Sequence, residues 1–212
     1  MQNDYEFDDG HDWTHEFEVD VRKVVLVNHE LTLEGITKAE EEAVAGFDQT
    51  NEGQRQVAEY VRGQHDEYRR AATNLALVGV VARFHHWLTY LSNRIRGKAN
   101  EIFRKNVVQE IGFLNSQLKN SPHKPEDFEK WIDVRDSVIH ADSKASWTYN
   151  GETRTVEPRF ALGEELNFTE DDLKEAFDHM LHAINWYDTE VERWIVAKFG
   201  PQVFIGGKPI YP

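Results

Sequence analysis

Cysteine is missing from the 212 residues of this chain. Its absence excludes a disulfide scaffold, a thiolate zinc site and a cysteine nucleophile, and it fits a reducing compartment. Long apolar runs are missing too, since the densest, residues 75–82, falls far short of the ~20 residues that span a bilayer. The first residues are acidic where a signal or transit peptide is basic. We therefore expect a cytoplasmic protein that does not contact a membrane.

Positive charge is scarce in this chain. There are 24 Lys and Arg residues against 38 Asp and Glu residues, so the net charge is −14. Residues 1–20 hold eight of the carboxylates and no Lys or Arg. A globally acidic protein repels nucleic acid at long range, so binding to RNA or DNA requires a local cleft. Five basic residues lie close together in sequence and predict such a local basic surface: Arg94, Arg96, Lys98, Arg104 and Lys105.

Apolar residues recur at intervals of three and four over most of the chain, which is the period of amphipathic helices. The strongest helical pattern runs over 54–96, after a break near 49–53, and another covers 100–118. A third helix is expected after Pro125, because acidic residues follow it and face the positive end of the helix dipole. The last helix begins with a capping box at Thr169 and ends at Gly200. The run 24–27 fits either a helix or a strand.

The pair Asn150-Gly151 lies between alternating β-formers, and this pattern predicts a β-hairpin. The fold class is therefore all-α, an up-and-down bundle of four to six helices with a small β-hairpin insertion near 146–156. We divide the chain into an acidic arm (1–20), a helical domain (21–200) and a C-terminal tail (201–212).

The segment 134–140 holds the residues best suited to chemistry. Arg135 follows Trp131 by four positions and Ile132 by three, so a helix places its guanidinium on the apolar side, where it must pair, line a cleft or face a partner chain. Asp136 and His140 are four apart and share a helix face, so the carboxylate is placed to orient the imidazole. Arg135 and His140 are five apart, about 140° around the axis and ~7.5 Å along it. Their side chains meet within one chain only if the helix ends near His140.

An arginine, a polar residue, three further residues and a histidine, late in an all-helical bundle, resemble the motif of the HEPN domain superfamily. The match is Arg135-Asp136-Ser137-Val138-Ile139-His140, and the likeness extends loosely over residues 60–198, whereas residues 1–50 match nothing. The resemblance implies a metal-independent endoribonuclease. It also implies a homodimer whose two motif helices line one cleft. Many members are toxins or antiviral defence effectors, some of them neutralised by an antitoxin partner protein.

The residue types suit RNA cleavage. Histidine transfers protons near neutral pH, and the forked, permanently charged arginine binds phosphate oxygens. The expected catalytic residues are Arg135, which binds and stabilises the phosphate, His140, which transfers protons, and Asp136, which supports both. One motif histidine per chain leaves a second proton transfer unassigned, and a dimer supplies it. RNA is the expected substrate.

Other interpretations stay open. A non-catalytic HEPN-like interaction module would use the same cleft to bind a partner protein or a nucleotide. The pair Arg22 and His29 also fits the motif spacing, but it lies too early in the chain. Its arginine is followed by Lys23 instead of the usual residue. Histidine pairs at 11 and 15, 85 and 86, and 179 and 182 raise a metal-dependent hydrolase as a third hypothesis. The chain lacks a Glu-x-x-His or His-Glu-x-x-His motif and a glycine-rich phosphate loop, so we expect no metal and no cofactor.

Overall fold

A computed structural model describes residues 13–97, 106–140, 146–149, 152–155, 164–200, 203–205 and 208–210. The helices are α1 (Trp13–Asp20), a π-helical segment (Val21–Leu26), α2 (Val27–Val44), α3 (Glu52–Arg96), α4 (Val107–Gln117), α5 (Glu126–His140) and α6 (Glu170–Phe199). The strands are β1 (Ser146–Tyr149), β2 (Glu152–Thr155), β3 (Val203–Ile205) and β4 (Lys208–Ile210). Strand β1 pairs antiparallel with β2, and β3 pairs antiparallel with β4.

The helices establish an all-α fold, as the apolar spacing predicts. Because α1, the π-helical segment and α2 are continuous, the described part of the chain contains five helical rods. The run 24–27 therefore belongs to a helix and not to a strand. Within the described ranges, no helix combines the length and apolarity that a membrane span requires.

Helix α3 is the central element, and α2, α4, α5 and α6 all pack against it. It has 45 residues and is therefore ~68 Å long. Its first turn is capped by Asn51, whose side chain accepts a hydrogen bond from the Gln54 N–H at 3.2 Å. It ends at Gly97, whose φ of +68° lies in the left-handed region that favours glycine. The predicted break near 49–53 and the predicted helix end near Arg96 are both confirmed.

The predicted starts of α4 and α6 can be compared with the structure. Thr169 and Asp172 form the predicted capping box, so the start of α6 is confirmed, as is its end before Gly200. Helix α4 begins at Val107, after a capping box between Asn106 and Gln109. The earlier part of the predicted helix 100–118 falls on residues 100–105, outside the described residues.

Residues 13–20 of the segment assigned to the acidic arm form helix α1. Helix α1 begins at Trp13, and the Phe17 side chain is fully buried, with its ring stacked on that of Phe177 at 6.2 Å. Phe17, Val21 and Val25 are four apart, so they form an apolar stripe on one helix face, although Glu16 and Glu18 flank Phe17. Residues 1–12 lie outside the described residues.

Candidate functional site

Helix α5 carries the motif, and a hydrogen bond and acidic side chains stabilise its first turn. The backbone N–H of Lys124 donates to the Asp127 carboxylate at 2.7 Å, and three acidic residues in the first turn oppose the helix dipole. Phe128, Trp131 and Val134 bury one side of the helix in the core. This packing fixes the helix and leaves Arg135 at the edge of the buried face.

Arg135 and Asp136 are paired with each other. The Arg135 Nε–H and Nη2–H both donate to Asp136 Oδ1, at 2.9 and 2.5 Å. The side chains are 19% and 22% exposed, so the ion pair is partly withdrawn from solvent but still accessible. The two bonds use two of the five N–H groups of the guanidinium. Asp136, expected to support both motif residues, is therefore engaged by the arginine.

His140 is the last residue of α5. On one continuous helix, positions 135 and 140 lie about 140° apart around the axis and ~7.5 Å apart along it. The helix therefore ends at His140, which is the condition for the two side chains to meet within one chain, but the helical backbone still places positions 135 and 140 on different sides of α5. The side chain of His140 lies outside the described atoms.

The two described residues of the predicted basic surface form ion pairs within the protein. Arg94 pairs with Glu192 and lies 3.9 Å from Asp188. The Arg96 guanidinium donates to the fully buried Glu110 at 2.8 Å and lies over the Phe113 ring. Lys98, Arg104 and Lys105 fall outside the described residues. Arg94 and Arg96 therefore stabilise the bundle, because each has a carboxylate partner on another helix.

A histidine cluster of His123, His179 and His182 lies beside α5, and the sequence did not indicate that His123 lies near the other two. His179 stacks on Phe128 at 4.6 Å, and the ring of His123, from the loop before α5, lies 5.4 Å from that of His182. His123 is only 5% exposed. Burial, followed by the nearby His182 and His179, lowers the pKa of His123 to about 4. The sequence feature that could have indicated an ordered His123 is the short loop 121–125, which contains two prolines. In the structure, the Ser121 hydroxyl donates to the His123 carbonyl at 3.0 Å.

His123 and His179 pack against the core, whereas His182 is exposed. Among the described residues, no group of three or more His, Asp or Glu side chains is arranged to hold a metal ion. His123 and His179 instead pack against aromatic rings, and in the neutral form they act as flat, largely apolar core side chains. The predicted pair of His179 and His182 therefore gains a third histidine in space without gaining metal-binding geometry.

Comparison with known proteins adds no relative. No family model, no curated protein and no solved structure matches this chain. The likeness to the HEPN superfamily therefore rests on the motif and on its position in a helical bundle. The geometry of α5 has to support any function that is assigned to it.

Proposed function

We propose that the chain is a metal-independent endoribonuclease of the HEPN type that cleaves RNA in a cleft formed by two copies of α5. The observation that carries the proposal is the accessible Arg135–Asp136 pair one and a half turns before His140, on a helix anchored in the core. The strand pair β1–β2 is then an insertion between the motif helix and the last helix.

The proposed chemistry divides the work between charge and proton transfer. Arg135 binds the scissile phosphate through its remaining N–H groups and stabilises the charge that develops on the phosphorane. His140 removes the proton of the attacking 2′-hydroxyl or protonates the leaving 5′-oxygen. Asp136 holds the guanidinium in one orientation. The second proton-transfer role belongs to the histidine of the other subunit.

The angular separation of positions 135 and 140 supports a two-chain site. A helix facing its symmetry mate presents the arginine of one copy near the histidine of the other, which a single helix does not achieve. We also propose, from the resemblance alone, a cytoplasmic role as a toxin or antiviral defence effector held in check by an antitoxin protein.

The decisive test is RNA cleavage by the purified chain in excess EDTA. We expect cleavage, and we expect His140→Ala to reduce its rate by at least about 100-fold, since general acid–base catalysis contributes 10²–10⁴-fold. His182→Ala is the matched control, because His182 is exposed and lies on a different helix. Equal loss in both variants, or full activity in His140→Ala, refutes the assignment.

A second candidate function has an observation of its own. The Arg135 charge is already compensated by Asp136, as in an ion pair that serves the structure of the protein. A non-catalytic interaction module that binds a partner protein or a nucleotide in the same cleft would keep this pair. It predicts dimers without RNA cleavage and without growth arrest on expression.

A further inference from the structure

A groove of about 560 Å³ runs along the seam between α2 and α3. Its volume lies within the range of small-molecule sites, roughly 300–1,000 Å³. Half of the twelve lining residues are valine, leucine or alanine, among them Val24 and Leu75, which are 42% and 63% exposed. The described residues that line it include no Asp, Glu, Phe, Tyr or Trp. The described lining therefore carries no negative charge, although the chain has a net charge of −14.

Gly79 forms the floor of the groove. A Cβ at this position would lie 3.1 and 3.2 Å from the two Cγ atoms of Val25. The two helices therefore approach closely at Gly79, and Ala76 extends the small-residue surface one turn earlier. The close approach makes a channel bounded by the larger side chains on both helices.

One end of the groove is basic. Arg83 and His86 are three residues apart on α3, so their Cβ atoms are neighbours at ~5–6 Å. Arg83 Nη1 lies 3.3 Å from Asp20 Oδ2, so part of its charge is compensated. The guanidinium is partly exposed and keeps further N–H groups for an anion.

His29 lines the same groove with a buried, unpartnered ring. It is 7% exposed, and neither ring nitrogen has a hydrogen-bond partner among the described residues. Buried polar groups are nearly always hydrogen-bonded, so a buried imidazole without a partner points to a ligand contact. Asn28 and Thr32 add further polar atoms along the same wall.

We propose that this groove binds an aliphatic monocarboxylate, with the chain over Val25 and Gly79 and the carboxylate at Arg83 and His86. The aliphatic side chains fit an alkyl chain, and the described lining holds no Phe, Tyr or Trp ring on which a nucleobase stacks. A single, partly compensated guanidinium matches one negative charge better than a phosphate dianion. No groove residue belongs to α5, so the site is independent of the proposed ribonuclease site.

The probe for this site is decanoate, titrated into the intact chain below its micelle-forming concentration and followed by calorimetry. We expect saturable binding of one equivalent. Decyltrimethylammonium, which has the same alkyl chain and a positive head group, should bind at least about tenfold more weakly, because its charge opposes Arg83. Equal affinity for the two compounds overturns the proposal, since the groove would then select only an apolar chain.

Two pairs of variants locate the site. Ala82→Phe fills the groove from its exposed rim and should abolish decanoate binding, whereas Ala71→Phe, exposed on the same helix but outside the groove, should not. Arg83→Gln should weaken binding about tenfold, since a charge-assisted hydrogen bond is lost. Arg62→Gln is its control, because Arg62 is similarly exposed, pairs with Glu40 and lies outside the groove.

Several outcomes contradict the proposal. Unchanged binding in both Ala82→Phe and Arg83→Gln places decanoate elsewhere on the surface. Conversion of a wild-type dimer to a monomer by Ala82→Phe shows that a second copy covers the groove. Since Arg83→Gln removes a partly exposed charge and fills no space in the groove, it remains informative if Ala82→Phe perturbs the fold.

Discussion

At the level of single residues, burial of titratable groups couples the stability of the protein to pH. Burial lowers the pKa of His123 to about 4 and also lowers the pKa of His29 and of His179. Burial raises the pKa of Asp188 to about 6, although Arg94 opposes the shift. As the pH falls, the buried histidines therefore lower the stability of the folded protein, whereas Asp188 raises it.

For His123, the unfolded chain binds a proton below about pH 6.5, whereas the folded chain does so only near pH 4. Its contribution to the free energy of unfolding is therefore complete above pH 6.5 and is lost between pH 6.5 and 4. Asp188 binds its proton in the folded state near pH 6, before the unfolded state does at about 3.8, so acidification stabilises the protein through this residue. Each contribution is on the order of 3 kcal/mol.

We therefore expect His123→Phe to lose less stability than the wild type between pH 7 and pH 4.5, because Phe fills the aromatic cluster without titrating. Asp188→Asn should lose more, because the opposing gain is removed. Urea unfolding at the two pH values measures both differences. Parallel pH profiles for the three proteins would contradict the assignment of these groups.

At the level of elements, the contact between α3 and the π-helical segment depends on glycine. An alanine inside a helix is normally more stable than glycine by roughly 0.5–1 kcal/mol. A Cβ added to Gly63 on α3 would meet no atom within 4 Å, whereas a Cβ added to Gly79 would be crowded by Val25. The two glycines therefore differ in what an alanine would meet.

Gly63→Ala should raise the free energy of unfolding by about 0.5–1 kcal/mol. The free energy of unfolding of Gly79→Ala should be about 1–3 kcal/mol lower than that of Gly63→Ala, because Val25 has to shift and the helices have to separate. Urea unfolding with unchanged m-values checks the difference. An equal gain in both variants would show that the helices separate there at little cost.

At the level of the whole molecule, the proposed active site requires two chains. A subunit with Arg135→Ala keeps His140, and a subunit with His140→Ala keeps Arg135. If the working arginine and histidine come from different subunits, the cleft of a mixed dimer keeps one such pair, while its other pair, and with it the second histidine, is lost.

Mixing the two inactive variants after subunit exchange should therefore restore cleavage above that of either variant alone, to at most about a quarter of the wild-type rate, since half of the dimers are mixed and each keeps one of the two arginine–histidine pairs and one of the two histidines. The measurement is the RNA cleavage rate of the mixture against that of each variant alone. No recovery, with mixed dimers detected by mass spectrometry, indicates that the arginine and the histidine act within one chain or not at all.

Much of the helical framework follows from local sequence. The boundaries of α6 and the end of α3 depend on capping residues, which act on neighbouring backbone groups and leave a pattern in the sequence. The start of α5 depends on Pro125 and the acidic turn after it. The position of Arg135 at the edge of a buried helix face follows from its spacing from Trp131 and Ile132.

The pairing of distant residues was decided by tertiary structure alone. Phe17 joins the core because α1 packs on α6, and an acidic flank hides that fact in the sequence. Arg94 and Arg96 are bound by carboxylates on other helices, so these two residues of the basic run stabilise the bundle. His123 lies beside His182 because the loop before α5 packs against α6. Local sequence determines where helices begin and end through short-range hydrogen bonds, whereas packing between helices determines which side chains are neutralised, buried or left accessible.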